Sequence, residues 1–215
     1  MSLIRSSILQ VRSHLRIYLI IYLGLFALLY GFVKIAEHYD ISVAYFTRDP
    51  AITLYGHPFT GVISNIGILF WCSSLAVCFF SAWTVLKKGD KKVSTFLFFS
   101  GLFTLILMLD DFFMFHEFIF PYSFGIPQEA VIAAYLIMML AYFLKFGRLI
   151  LTMEYTILLM ACGWFALSLV TDMWMAQSDI QFLVEDGAKL FGIVTWFIFF
   201  VRTCYAQTLL LTEKE

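Results

Sequence analysis

Residues 61–86 read GVISNIGILFWCSSLAVCFFSAWTVL, a run of 26 residues without a lysine, arginine, aspartate or glutamate. About 20 consecutive apolar residues are enough to cross the roughly 30 Å hydrocarbon core of a bilayer as an α-helix. The whole chain has this character, because 62% of its 215 residues are hydrophobic and only 13% are charged. A soluble domain is roughly half apolar and about a quarter charged. The sequence therefore predicts an integral membrane protein.

Similar apolar runs recur along the chain and leave no room for a soluble domain. We expect an all-α fold, a polytopic six-helix transmembrane bundle that forms a single transmembrane domain over residues 1–215. The predicted helices lie near residues 16–36, 61–86, 93–118, 128–145, 149–173 and 181–202. The four cysteines fall inside these helices or, for Cys204, two residues past the last one, without paired spacing, so they predict neither disulfides nor a zinc site.

The distribution of positive charge predicts the orientation. Lysine and arginine accumulate on cytoplasmic loops, and with both termini in the cytoplasm 11 of the 14 basic residues fall on the inner side. The exceptions are Lys34, Arg48 and Lys189. Most acidic residues fall on the outer side, where a negative mouth would concentrate cations. We expect a multi-pass protein of the cell (inner) membrane with cytoplasmic N- and C-termini.

Two short segments carry ionisable residues at membrane depth, LDDFFMFHE at residues 109–117 and VEDGAK at residues 184–189. At 1.5 Å per helical residue, Asp110 is roughly 27 Å from Lys92, and Asp186 roughly 24 Å from Arg202, so the acids share one level in the outer third of the bilayer. Charges at this depth usually face a bundle interior or a cavity. The predicted cation- or proton-binding residues are Asp110, Asp111, Glu185, Asp186 and Lys189. The accessory candidates are Asn65, His116, Glu117 and Asp172.

Helical angles refine this site. On a regular helix His116 points roughly 120° away from Asp110, so we do not expect the two side chains to meet. Lys189 should contact either Glu185, which lies at the favourable i, i+4 spacing, or an acid of the third helix. Of Asp110 and Asp111, we expect one to face the bundle and the other to face the lipid headgroups or the first outer loop. Ser64 and Asn65 are expected to cap the second helix.

Three segments carry family resemblances. SNIGILFWC, LDDFFMFHE and EDGAKLFGI resemble an uncharacterised family of bacterial six-helix membrane proteins of cyanobacterial type. TGVISNIGILF is similar to a core helix of alkaline ceramidase-like intramembrane hydrolases, although Glu185 and Lys189 occupy the spacing that holds two zinc-binding histidines there. VEDGAKLFG looks like the last helix of microbial rhodopsins, where an acid precedes the retinal lysine by four residues.

Three functions from different classes remain open. The leading hypothesis is cation or proton binding and transport, since a lysine among carboxylates is a group whose pKa its surroundings can shift. The first alternative is an intramembrane metal-dependent hydrolase of a lipid-like substrate that uses Asp111 and His116. The second is a non-catalytic accessory subunit whose charges specify helix packing.

The expected partners follow from the same considerations. They are the lipid bilayer, a cation or proton, and a second copy of the chain or a larger membrane complex; a nucleic acid is not expected. A metal ion is left open as a cofactor, and retinal is not favoured because the aromatic residues of a retinal pocket are not recognisable.

Overall fold

The computed structural model describes residues 3–47, 50, 54–57, 59–176 and 178–212. The described residues form helices and connecting turns without strands. They divide into two compact units, Met1–Thr60 and Gly61–Glu215. The first unit contains helix α1 (Leu3–Tyr39) and the short helix α2 (Ala44–Thr47).

The second unit contains five long helices. They are α3 (Val62–Lys87), α4 (Lys91–Phe113), α6 (Gln128–Ile150), α7 (Tyr155–Trp174) and α8 (Asp179–Thr212). A π-helical turn (Phe115–Ile119) and the short helix α5 (Phe120–Phe124) connect α4 to α6. Among the described residues these five helices are long and apolar enough to cross a membrane. This confirms the membrane-spanning class but not the count of six, because the predicted span at residues 16–36 includes side chains outside the described residues.

The core of the second unit is aromatic. Trp196 on α8 is completely buried and contacts Trp71, Phe103 and Phe165 from three other helices. Its indole N–H donates a hydrogen bond to the buried Thr104 hydroxyl at 3.0 Å. The indole N–H of this large side chain is therefore hydrogen-bonded inside the protein, as is usual for a buried indole.

Helix α6 joins this core through large side chains. Tyr142 stacks on Phe103, with ring centroids 5.6 Å apart, and shares a 2.7 Å hydrogen bond with Ser100. By contrast, the backbones of α3 and α4, of α7 and α8, and of α3 and α8 approach each other closely. The wider spacing around α6 leaves room for the cavity described below.

Several predicted boundaries are wrong. Helix α1 begins at Leu3 and not near residue 16, and α8 continues to Thr212, ten residues past the predicted end at residue 202. The turn between the fourth and fifth predicted helices was placed near residues 146–148, but α6 continues to Ile150 and α7 begins at Tyr155. Lys145 and Arg148 are therefore helical, and the Lys145 ammonium lies over the Phe99 ring, 3.9 Å from its centroid. The third predicted helix extended to residue 118, but α4 ends at Phe113.

The charged residues of the second unit separate to its two ends. One end, where α4 and α7 finish and α3, α6 and α8 begin, carries eight acids and one lysine; we call it the acidic end. Its charged residues are Asp110, Asp111, Glu117, Glu129, Asp172, Asp179, Glu185, Asp186 and Lys189. The opposite, basic end includes Glu154, whose carboxylate accepts two hydrogen bonds from Arg202. These bonds lower the pKa of Glu154 below its ordinary value, despite a small opposing effect of desolvation.

Candidate functional site: an acid-lined cavity

The chain reverses direction at the acidic end of α4. Met114 adopts a left-handed conformation (φ 53°, ψ 46°), and its carbonyl accepts hydrogen bonds from the N–H groups of Phe118 and Ile119. A residue other than glycine is uncommon in this conformation, which is found more often at functional sites. The reversal turns the following residues back over the end of α4.

Asp110 is the centre of the resulting hydrogen-bond network. One carboxylate oxygen accepts from the His116 backbone N–H at 3.0 Å and from the Tyr135 hydroxyl at 2.8 Å. The other lies 2.5 Å from Nδ1 of the His116 ring. Only 8% of the Asp110 side chain is exposed, so these bonds replace the water that a buried carboxylate would lose.

The expectation that His116 faces away from Asp110 is therefore wrong. It assumed a regular helix through residue 116, whereas the left-handed Met114 rotates every later side chain. Burial lowers the pKa of His116, but the hydrogen bond and negative charge of Asp110, with a smaller effect of Glu117, raise it above its ordinary value overall. The Nε2 atom of the same ring lies 3.4 Å from Glu117.

Lys189 on α8 pairs with Asp111, with an N–O distance of 2.6 Å. The contact confirms the expectation of an acid on the third predicted helix as its partner. Glu185 instead accepts a 2.5 Å hydrogen bond from Gln181 on its own helix. Because the Asp111 side chain is only 8% exposed, Asp110 and Asp111 both face the interior, and the expectation that one faces the headgroups is wrong.

A cavity of about 200 Å³ lies beside these groups, between α6 and the rest of the unit. Its ionisable wall consists of Asp110, Asp111, His116, Glu117, Asp172, Glu185 and Lys189. Its apolar wall includes Trp71, Phe103, Leu107, Leu136, Met139 and Phe165. Phe103 precedes Asp110 by seven residues and Phe165 precedes Asp172 by seven, which corresponds to about 10 Å of helix in each case. The cavity is therefore amphipathic along its length.

Four of the five carboxylates that line this cavity have no lysine or arginine ion-pair partner among the described residues, and three of these four also lack a histidine of their own. Asp111 has Lys189 and Asp110 has His116. Glu117 has only the shared His116 ring, Asp172 accepts a 3.2 Å hydrogen bond from Gln128, and Glu185 has Gln181. These three, Glu117, Asp172 and Glu185, are called the uncompensated carboxylates below. They leave the cavity with an excess of negative charge.

A smaller cavity of about 20 Å³ lies on the other side of the Asp111–Lys189 pair, between α3, α4 and α8. Ser64 and Asp186 line it, and its volume suits a single water molecule. Asn65 is exposed and lines neither cavity. The expected capping of α3 by Ser64 or Asn65 is wrong, since Gly61 begins the helix without a side-chain hydrogen bond.

Four residues of this region were not predicted from the sequence. Tyr135, Gln128 and Gln181 hydrogen-bond to cavity acids. Trp71 forms part of the apolar wall, and its buried indole N–H has no partner among the described residues. The three hydrogen-bonding side chains lie near the starts of their helices, at the level of the acids. That position is the only feature of the sequence that could have indicated them.

The acids and the histidine lie on several helices around one end of the cavity. In the described part of the chain, no three histidine, cysteine, aspartate or glutamate side chains are grouped as ligands of one metal ion. The arrangement can hold protons, pair with cations and orient donors, because five carboxylates line it.

These features define a class: a helical protein with several segments able to cross a membrane and an acid-lined cavity near one end of them. The chain belongs to the family described as a domain of unknown function (DUF8692), whose model matches residues 18–203. Comparison with curated proteins gives no match, and comparison with solved structures gives none either. The resemblances to cyanobacterial-type proteins, alkaline ceramidase-like hydrolases and rhodopsins therefore stay predictions.

Proposed function

We propose that this protein binds cations in the acid-lined cavity and exchanges them with protons. The observation that carries the proposal is the excess of carboxylates: Glu117, Asp172 and Glu185 face one cavity without a lysine or arginine partner among the described residues. Like charges in a poorly hydrated site are relieved either by protonation or by a bound cation. The two occupants therefore compete for the same oxygens.

His116 supports the proton side of the exchange. It holds its proton more tightly than an ordinary histidine because Asp110 accepts from it. Its Nε2 atom lies beside Glu117, one of the uncompensated carboxylates. A proton can thus pass between a buried pair and a group that binds the cation, over a single 3.4 Å contact.

For the whole molecule we propose six spans, with α1 as the first, cytoplasmic termini and residence in the cell (inner) membrane. The charge separation of the second unit supports this orientation, since its basic end would face the cytoplasm. The acidic end and its cavity then face outward, where the negative potential attracts cations. The fully buried Trp196 and Phe200 belong to the core of the same unit, so the proposal is one of cation binding and proton exchange at the outer end.

The Asp110–His116 pair favours one second candidate, a hydrolase in which His116 acts as a general base. An aspartate that orients the Nδ1 side of a histidine leaves Nε2 available to take a proton. The test is release of fatty acid from a fluorescent ester of a lipid by the purified protein. Hydrolysis that is lost in His116→Asn and retained in Glu185→Gln would favour the enzyme over the cation site.

The proposal is tested by proton release. The full-length protein, purified in lipid nanodiscs in weakly buffered solution near pH 6, should release protons on addition of sodium, potassium or an organic ammonium salt. Glu185→Gln should reduce the release, whereas Glu129→Gln, which removes an acid of the same end outside the cavity, should not. Absence of proton release and of thermal stabilisation with every cation would overturn the proposal.

A further inference from the structure

The amphipathic cavity has an apolar part that an inorganic cation would not contact. Its acidic groups gather near the helix termini, and its apolar wall continues about 10 Å further along the same helices. A metal ion or proton at the carboxylates would leave the apolar part empty. Cavities lined by apolar side chains either stay dry or take an apolar molecule.

The volume sets the size of a fitting molecule. An apolar cavity of about 150 Å³ accommodates benzene, so the 200 Å³ here suits a molecule slightly larger than one aromatic ring. Trp71 and Phe165 stack within the wall, with ring centroids 5.7 Å apart and planes inclined by 11°. These rings offer flat apolar surface to a ring or short alkyl chain.

The polar groups set the charge of the molecule. The uncompensated carboxylates of the cavity are acceptors. Gln181 does not line the cavity, but its Nε2 holds one of these carboxylates, Glu185, in place. Acceptors of this kind require a donor, and a primary ammonium supplies three N–H donors and a positive charge together. The indole N–H of Trp71, a 3% exposed residue that lines the cavity, is a donor without a partner among the described residues, and it can lie against the π face of a bound aromatic ring rather than against the ammonium.

We infer that the cavity binds a small primary ammonium compound whose apolar body, about the size of one aromatic ring, occupies the wall formed by Trp71, Phe103 and Phe165. This inference rests on the proposed cation binding and names the chemical class of the cation. The ammonium lies among Glu117, Asp172 and Glu185, where it neutralises part of their charge. The apolar body displaces solvent from the wall, which an inorganic cation would leave in place.

Phenethylammonium is the probe for the test, with phenethyl alcohol as a neutral molecule of the same shape and sodium and potassium as bare cations. Binding is measured to the full-length protein in nanodiscs by the shift in melting temperature and by quenching of tryptophan fluorescence. We expect phenethylammonium to bind at least tenfold more tightly than either the alcohol or the inorganic cations.

Two variants separate the charged and apolar parts of the site. Glu185→Gln should weaken phenethylammonium about tenfold, as loss of one charged hydrogen bond implies, while Glu129→Gln should leave it unchanged. Met139→Trp fills the apolar wall and should abolish phenethylammonium binding while sodium or potassium still shifts the melting temperature. Met160→Trp, at an exposed position of α7 outside this cavity, is the matched control for folding.

The outcomes distinguish the two proposals. If sodium or potassium binds as well as phenethylammonium, and Met139→Trp affects none of them, the organic ligand is wrong and cation binding stands. If phenethyl alcohol binds as tightly as phenethylammonium, charge has no role in binding this ligand and the ammonium inference is wrong, while cation binding is decided by the proton release described above. If no probe binds, both proposals fail.

Discussion

Asp110 and His116 form a pair in which each side chain has its charge stabilised by the other. The carboxylate accepts three hydrogen bonds, two of them from His116. A histidine whose pKa is raised in the folded protein contributes its full stabilisation below the unfolded pKa, near 6.5. The contribution is lost as the pH rises through the folded pKa, because the imidazolium then gives up its proton.

The first prediction follows from this dependence of stability on pH. His116→Gln should lower stability relative to wild type by on the order of 2 kcal/mol at pH 6, the range for hydrogen bonds to charged groups, and by less at pH 9. Melting temperatures of both proteins across this pH range provide the measurement. A difference that grows toward high pH would contradict the ion pair, and Asp110→Asn should lower the His116 pKa observed by NMR.

The second prediction concerns Lys189. Lys189→Met strands the 8% exposed carboxylate of Asp111, and removal of one partner of a buried ion pair costs about 3–5 kcal/mol. Lys189 is 31% exposed, so we expect the lower part of that range. Adding Asp111→Asn should restore most of the lost melting temperature, whereas adding Glu185→Gln should not. Rescue by Glu185→Gln instead would show that the helical i, i+4 partner is the correct one.

The sequence predicted much of this site at the residue scale. The predicted depth of Asp110, Asp111 and Lys189 in the bilayer was enough to identify them, because charges inside apolar runs require a polar interior. The orientation of His116 could not be predicted, since the angular argument holds only while the helix is regular and no local signal marks Met114 as left-handed. Tyr135 was missed because a tyrosine in a membrane helix is usually an interfacial or packing residue.

At the scale of helices, the close approach of α7 and α8 depends on a small residue. A methyl group placed on Gly192 would lie 2.7 Å from two atoms of the Phe165 ring, and Phe165 is itself in contact with Trp71 and Trp196. The Phe165 ring also lines the cavity, so its displacement would change the cavity wall. Small residues at such positions let helix backbones pack closely in membranes.

The third prediction is therefore that Gly192→Ala destabilises the protein by about 1–3 kcal/mol, the usual cost of overpacking. The same displacement of Phe165 should weaken phenethylammonium binding. Gly163→Ala, where an added methyl group meets no atom within 4 Å, should change neither property. Thermal melts and fluorescence quenching of the two variants would decide. If the two variants are equally stable, the Phe165 ring moves aside without loss of stability and the prediction is wrong.

The helices themselves were well predicted from apolar runs, and their boundaries less well. The turn after α6 was placed too early because Lys145 and Arg148 suggested a loop, but long basic side chains can stay on a helix and extend along apolar surface. Lys145 does this over the Phe99 ring. A basic residue therefore indicates where a membrane helix approaches water, but it does not indicate where the helix ends.

For the whole molecule, the separation of acids and bases to opposite ends was predictable from the sequence, because it depends only on the order of the helices. The near-zero net charge of −1 hides this polarity. The size of the cavity was not predictable, since it arises from the wider spacing of α6, which the aromatic side chains of α4 and α6 set together.

The fourth prediction tests the orientation. A cysteine introduced at Ser123, next to α6 at the acidic end, should react with an impermeant thiol reagent added to intact cells. A cysteine at Lys88, in the turn at the basic end, should react only after the cells are permeabilised. The unsubstituted chain provides the background from its four native cysteines. The reverse pattern would place the cavity on the cytoplasmic side.

The most direct test of cation binding compares the wild type with the triple variant Glu117→Gln, Asp172→Asn, Glu185→Gln. Melting temperatures are recorded near pH 8 in a buffer whose only cation is N-methylglucamine, and again after addition of phenethylammonium. Mutual repulsion should make the wild type the less stable protein at first, and the added cation should raise its melting temperature but not that of the variant. If instead the wild type is the more stable protein at first, and the cation shifts both equally, the uncompensated carboxylates are not a cation site.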